Sequence, residues 1–556
     1  MAPQVAVQAQ TQSAPVGSGF VLNREDLRFI FHQIMVGQTH ATTYSAQHPC
    51  DTLLGPGPFQ VNGIGNPNGN PQLPVGLRTV DGSCNNLVPV PDQHAFGKAD
   101  RLFPRQTTPV FKDAEQGTSY KQKLLNNTVI DSQPRIVTNL IADQSDANPA
   151  AVAVATHPCG SGGFVCSDPD PGPPGTDPLF TVRDVASGAL FIPNITPDFG
   201  LSAPFNLMFA FFGQFFDHGL DLVTKGGGNV IMPLQPDDPL FRAGSTTNFM
   251  VMPRGLNQPG PDGVIGTADD IQEGMNETTP WVDQNQTYTS HPSHQVFLRQ
   301  YTTVGGRPAQ TGLVLDSALG CAPRNGGSPG EQICDIGNWG EVKAQARTRL
   351  GIQLVDADVL NVPLIVTDPY GHFKPGPNGF PQMVRPGSVF VEGNPAANGG
   401  LGVLIPDDAF RTGHAFLNDI AHNAVPAPGL VPDADTTICN FRTCVQPDGT
   451  YDDELLNAHY ITGDGRGNEN IGLTTVHFIF HAEHNRLRNY IDRQITALLP
   501  AAEITAWKAV DTASGWDYNE RLFQAARFVT EMQYQHLVFE EFARKVQPLI
   551  NPFLGG

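Results

Sequence analysis

Between Phe205 and Leu222 the chain reads FNLMFAFFGQFFDHGLDL, an almost wholly apolar run in which Gln214, Asp217 and His218 stand among phenylalanines. A helix that apolar is buried on nearly every side, so the fold must enclose it in a large core, which a chain of 556 residues can supply. Burial of the run also buries its polar groups. Gln214 and His218 lie four residues apart and share a helical face, aiming an amide and an imidazole into one space. That arrangement suits a small polar pocket. It equally suits groups that satisfy one another and nearby backbone, the usual fate of buried polar residues.

The formal charge of −21 excludes unassisted binding to phosphate backbones or anionic membranes. The same charge suits an extracellular protein, or one that meets calcium, and suits a solvated acidic surface as well. No window of 18 or more apolar residues is free of charge, so no membrane span is expected. The eight cysteines fall into neighbouring couples, Cys50/Cys84, Cys159/Cys166, Cys321/Cys334 and Cys439/Cys444, none with the C-x-x-C spacing of zinc sites. Four local disulfides are expected, and with them a secreted, extracellular or periplasmic protein. The first 20 residues show no basic start followed by an apolar run, so no secretory signal is legible there.

Residues 1–20 read as a flexible tail, and a single domain is expected over 21–556. Asn23 with Asp26 can cap a helix in which Leu27, Ile30, Phe31 and Ile34 recur at helical spacing. Other strong helical patterns cover 200–222, 467–499 and 518–547, and the strand-like run VPLIVTD near 362 is short. Turn-rich stretches at 55–75 and 161–176 read as long loops. No repeat at a fixed period is present, which excludes solenoids and propellers. The expected class is mainly α, with long loops and little β.

The segment G-Q-F-F-D-H-G-L-D, residues 213–221, resembles the G-Q-x-x-D-H-D-x-D signature of the animal-type haem peroxidases of the peroxidase-cyclooxygenase superfamily. A second, longer segment, GDGRGNENIGLTTVHFIFHAEHNRL at 463–487, is similar without a gap to the family's G-D-x-R-x-x-E motif and the helix that follows it. The resemblance implies that His218 is the distal acid-base residue, that Gln214 hydrogen-bonds the same site and that Arg466 stabilises charge as the O–O bond breaks. It also implies haem b as cofactor, with Asp217 and Glu469 as carboxylates that can be esterified to it. Asn470 stands where some members carry a methionine, so no sulfonium link is expected.

LRTVDGSCNNL (77–87) and TPWVDQNQTY (279–288) resemble two further family segments, the second a calcium loop. Thr279, Trp281, Asp283 and Asn285 would supply its oxygens. Gly219 stands where the family places an additional acidic ligand. The acidic turn around Asp262 and Asp269 reads first as a solvated loop.

The iron's other ligand, a histidine in this family, is expected on a helix well downstream of Arg466. After His484 the sequence carries only His536, which reads as structural, so a companion segment or chain is expected to complete the haem site. Three activities are consistent with these residues. One is reduction of hydrogen peroxide coupled to oxidation of a small electron donor. The others are a fatty-acid dioxygenase on the same fold and a non-catalytic, haem-free binding module.

Overall fold

A computed structural model describes residues 21–44, 76–84, 97–103 and most of 208–546, with Cys50, Leu53 and short strands at 120–123 and 129–131. The N-terminal tail, the loops at 55–75 and 161–176, and Cys159, Cys166 and Cys444 lie outside the described residues. Among the described residues the structure is mainly helical with short strands, as the resemblance implies.

The chain divides into two compact units. The larger takes 1–101, 207–221 and 277–556; the smaller takes 102–206 and 222–276. In the smaller unit, β1 (Tyr120–Lys123), β2 (Val129–Asp131), β3 (Lys225–Pro233) and β4 (Phe249–Gly255) form one sheet in that order. β3 and β4 run antiparallel with Ile231 opposite Val251. The turn that follows is closed by its own side chains: Val264 N–H donates to Asp262 Oδ1 at 2.8 Å and Thr267 Oγ1 to Asp269 Oδ1 at 2.5 Å. It is a self-bonded surface turn, as its sequence suggests.

Among the described residues, the frame of the larger unit that positions the site is four of its helices. α1 (Arg24–Thr43) begins with the expected capping box, in which Asn23 accepts from the amide of Asp26 and Asp26 accepts from that of Asn23. α2 (Met208–His218) falls within the apolar run, whose residues 205–207 lie outside the described residues. α3 (Ile471–Leu498) and α4 (Tyr518–His536) are the long amphipathic helices, and α4 passes directly into one π-helical turn at Leu537–Phe542. Leu27, Ile30 and Ile34 of α1 pack with Leu487, Ile491 and Ile495 of α3 and with Leu522 and Val529 of α4. α2 seals the other end of α3, where Phe215 stacks on Phe480 at 5.1 Å and meets Tyr534 of α4 edge-on at 5.8 Å.

A third core gathers around Trp339, Val342 and Phe416. There the run near 362 is not a strand. Pro363, Ile365 and Thr367 make single isolated bridges to three different segments, because alternate residues meet different partners. Disulfides Cys50–Cys84 and Cys321–Cys334 are present as read from spacing, and Cys439 is disulfide-bonded as well. None of the described helices is long and apolar enough to cross a membrane. His536 is exposed at the end of α4 and so is not a core residue.

Candidate functional site

α2 ends at His218 because Gly219 and Leu220 turn back, their amides donating to Phe216 O at 3.0 Å and Asp217 O at 2.9 Å. His218 is left on the buried side of the last turn, 6% exposed, while Asp217 is exposed. The second motif reaches the same place as a tight turn leading into α3. Asn470 caps α3 by accepting from the amide of Leu473 at 2.9 Å.

Gln214, His218 and Glu469 meet directly. Gln214 Nε2 donates to Glu469 Oε2 at 2.8 Å, and His218 Nε2 lies 3.5 Å from the same oxygen. Asn470 Nδ2 donates in turn to Gln214 Oε1 at 2.9 Å, so the amide of Gln214 has one orientation. His218 Nδ1 is buried without a hydrogen-bond partner, 4.0 Å from Asp464. Burial pushes the imidazole below the ordinary histidine value, against the opposing pull of Asp464.

Arg466 comes to this site through backbone carbonyls. Its Nη2 donates to His218 O at 3.0 Å and Asp221 O at 2.8 Å, while Nε and Nη2 grip Asp464 at 2.9 and 2.6 Å. Nη1 has no hydrogen-bond partner among the described residues. Burial raises the Asp464 carboxyl, but the Arg466 charge overrides it and holds the group below the usual carboxylate range. Asp464 therefore locks the arginine to the end of α2. Sequence reasoning quoted this residue within its motif and gave it no role; its position two before the arginine was the available signal.

His477, one turn and a half into α3, is a second residue that reading missed. It is 1% exposed, stands 4.8 Å from the Phe215 ring, and is pushed down to about 3 by burial. It stays neutral inside the core.

The segment 279–290 lies against both motifs. Its backbone is left-handed at Val282, Gln284 and Thr289, with φ of 53°, 62° and 65°. Two of these residues are β-branched, for which that region is strained. The neighbours impose it: a Cβ on Gly463 would lie 2.3 Å from Asn285 O and from Thr289 N, so the G-D-x-R turn presses directly on the loop. The Asp464 amide donates to Gln286 O at 3.1 Å, and Gln286 Nε2 donates to Phe215 O and Tyr534 Oη, both at 2.7 Å.

Thr279, Asp283 and Asn285 are brought together in this loop, but as a cage centred on an amide. Asn285 Nδ2 lies 2.9 Å from Gly219 O and from Thr279 O, and 3.1 Å from Thr279 Oγ1 and Asp283 Oδ1. Thr279 Oγ1 also donates to Asp283 Oδ2 at 2.6 Å. Trp281 turns its ring against Gly97. With a nitrogen at the focus of the oxygens and one buried carboxylate, these residues do not fit calcium, which prefers six to eight oxygen ligands.

Haem is a different case. The residues expected around it fit: His218 Nε2 lies 3.5 Å from Glu469 without a hydrogen bond, and Asp217 and Glu469 remain exposed or partly exposed.

The animal haem peroxidase family model matches residues 175–324 and 429–547, two segments that contain α2, the 279–290 loop, the G-D-x-R turn, α3 and α4. A similar solved structure is peroxidase A from Dictyostelium discoideum, at 16% identity over 61% of this chain and 40% of that one, with a TM-score of 0.28. The matched part thus spans less than half of that protein. The two motifs that meet at His218 and Glu469 both fall within the matched family segments, and the chain belongs to the animal haem peroxidase family.

Proposed function

We propose that this chain forms the peroxide-binding side of a haem-dependent peroxidase that reduces hydrogen peroxide and oxidises a small electron donor. The carrying observation is the convergence of Gln214 and His218 on Glu469 while Arg466 is clamped behind them by Asp464. Haem, when bound, supplies the redox chemistry, and in this reading Asp217 and Glu469 would hold it or be esterified to it.

The protein's own contribution is proton handling. A neutral imidazole is the form that accepts a proton, and burial favours that form at His218. Gln214, oriented by Asn470, fixes the Glu469 oxygen that Nε2 of His218 faces. Arg466 places a fixed cation at the end of α2, where negative charge developing on a bound peroxide is stabilised. Phe211, Phe212, Phe215 and Phe216 pack α2 into the core it shares with α3 and α4, which fixes the helix that carries Gln214 and His218. The oxidised couples Cys50–Cys84 and Cys321–Cys334 support a secreted or periplasmic protein. A companion segment or chain supplies the iron's remaining ligand in this reading.

The test is haem titration of the chain, with and without a companion segment, followed by peroxide turnover. A Soret band with turnover that falls at least a hundredfold in His218→Ala supports the proposal. Haem uptake without turnover would favour a binding module, and no uptake in either sample removes the peroxidase reading.

A further inference from the structure

One residue beyond the strained loop, four chemistry-bearing side chains from four separate segments meet outside the haem site. They are Asp100, Glu277, His291 and His414. His414 lies between two carboxylates, with Nε2 3.0 Å from Asp100 Oδ1 and Nδ1 3.2 Å from Glu277 Oε2. The His291 ring lies flat on that of His414, 4.0 Å between centroids and 16° from parallel. One oxygen of Asp100 and one nitrogen of each histidine all fall within 4.8 Å of one another. His294, the next histidine along, is not part of the set, because its Nε2 is paired with Thr412 Oγ1 at 3.1 Å.

We propose that Asp100, His291 and His414 form a binding site for a divalent transition ion of the zinc class, with Glu277 as the residue that orients His414. Burial works against a charge on His414, but Asp100 and Glu277 raise its pKa to about 9, so an ion binds here by displacing the Nε2 proton. The two imidazoles and one carboxylate then match borderline ions such as zinc, whereas calcium and magnesium select all-oxygen sets. Ligands about 2.1 Å from a tetrahedral ion stand roughly 3.4 Å apart, so the present spacing closes on an ion through modest side-chain rotation that fans the stacked rings. Glu277 then plays the part that carboxylates play behind metal-bound histidines, accepting from Nδ1 so that Nε2 is the nitrogen presented to the ion. Glu277 is well covered, with 12% of its side chain exposed, whereas Asp100 is at 44%. The fourth coordination position therefore opens toward solvent, where a water or an exogenous ligand completes the set. The net charge of −21 favours cation arrival. This site is independent of haem.

Cobalt(II) titration of the whole chain, read through its visible ligand-field bands, tests the proposal directly. The expected result is one cobalt per chain in a four-coordinate spectrum that zinc displaces. His291→Ala and His414→Ala should abolish the bands, and Glu277→Gln should weaken binding roughly 10- to 100-fold while leaving the fold intact by circular dichroism. Absence of the bands in the unaltered chain, their survival in both histidine variants, or an affinity unchanged by Glu277→Gln would each overturn the assignment as stated.

Discussion

Gly219 and Gln286 are set against each other at the end of α2: a Cβ at 219 would lie 2.1 Å from Gln286 Nε2. That nitrogen cannot simply move aside, since it is buried and donates to both Phe215 O and Tyr534 Oη. Gly219→Ala should therefore cost about 2–4 kcal/mol, the loss of one or two buried hydrogen bonds. In urea unfolding, the double variant with Gln286→Ala should be clearly less destabilised than the sum of the two single variants. Strict additivity would mean that the two residues do not oppose each other.

The aromatic seam between α2, α3 and α4 depends on Phe215, which is fully buried and touches Phe480, Tyr534 and His477. Phe215→Ala should destabilise the protein by about 3–5 kcal/mol through lost contacts and the cavity left behind. Thermal unfolding measures this, and a loss below about 1 kcal/mol would show that the seam collapses around the gap.

Burial holds the folded-state pKa of His218 below its ordinary 6.5. The neutral, proton-accepting imidazole thus persists on the acid side of pH 6.5, and the acid limb of the reaction with peroxide should lie below that value. The same shift means that the unfolded chain binds the proton more tightly, so stability from this group is present above pH 6.5 and is lost as pH falls through the folded pKa. Stopped-flow rates across pH 4–8 on the haem-loaded protein decide it; a midpoint at or above 6.5 would show a solvated imidazole instead.

Because an amide nitrogen occupies the centre of the Thr279–Asp283 cage, adding a calcium chelator should leave the melting temperature unchanged. Asn285→Ala, by contrast, leaves Asp283 buried without its amide partner and should lower stability by about 1–3 kcal/mol. A melting temperature that falls in chelator and recovers with calcium would show that the cage holds an ion.

Removing the charge from Asp464 should disturb the arginine more than the histidine. Asp464→Asn strips a buried partner from Arg466 and should cost about 3–5 kcal/mol, measured by denaturant unfolding. Little change would mean that the carbonyls of His218 and Asp221 hold the guanidinium by themselves.

The helices were legible because their signals are local. The capping box at Asn23 and Asp26 and the apolar spacing of α3 and α4 each lie within one segment. The two disulfides Cys50–Cys84 and Cys321–Cys334 followed from neighbouring spacing as well. The roles of Gln286, Gly219 and Asp464 did not, because each depends on a contact with a residue far along the chain. Left-handed backbone at Val282 and Thr289 is also illegible in sequence, since β-branched residues argue against it. The run near 362 misled for a related reason: strand-like composition does not say whether one neighbour or three will meet it.

The loop at 279–290 carries a consequence for how proteins of this kind can be recombined. Its unusual backbone is held from outside, by the end of α2, by the turn at Gly463 and by Tyr534 of α4. Grafting α2 from a relative would bring a new His218 without the clasp that seats it. Exchanging the loop alone would set a strained segment against neighbours that are not matched to it. A working chimera has to inherit all of these pieces from one parent, although more than 300 positions of the chain separate Phe215 from Tyr534.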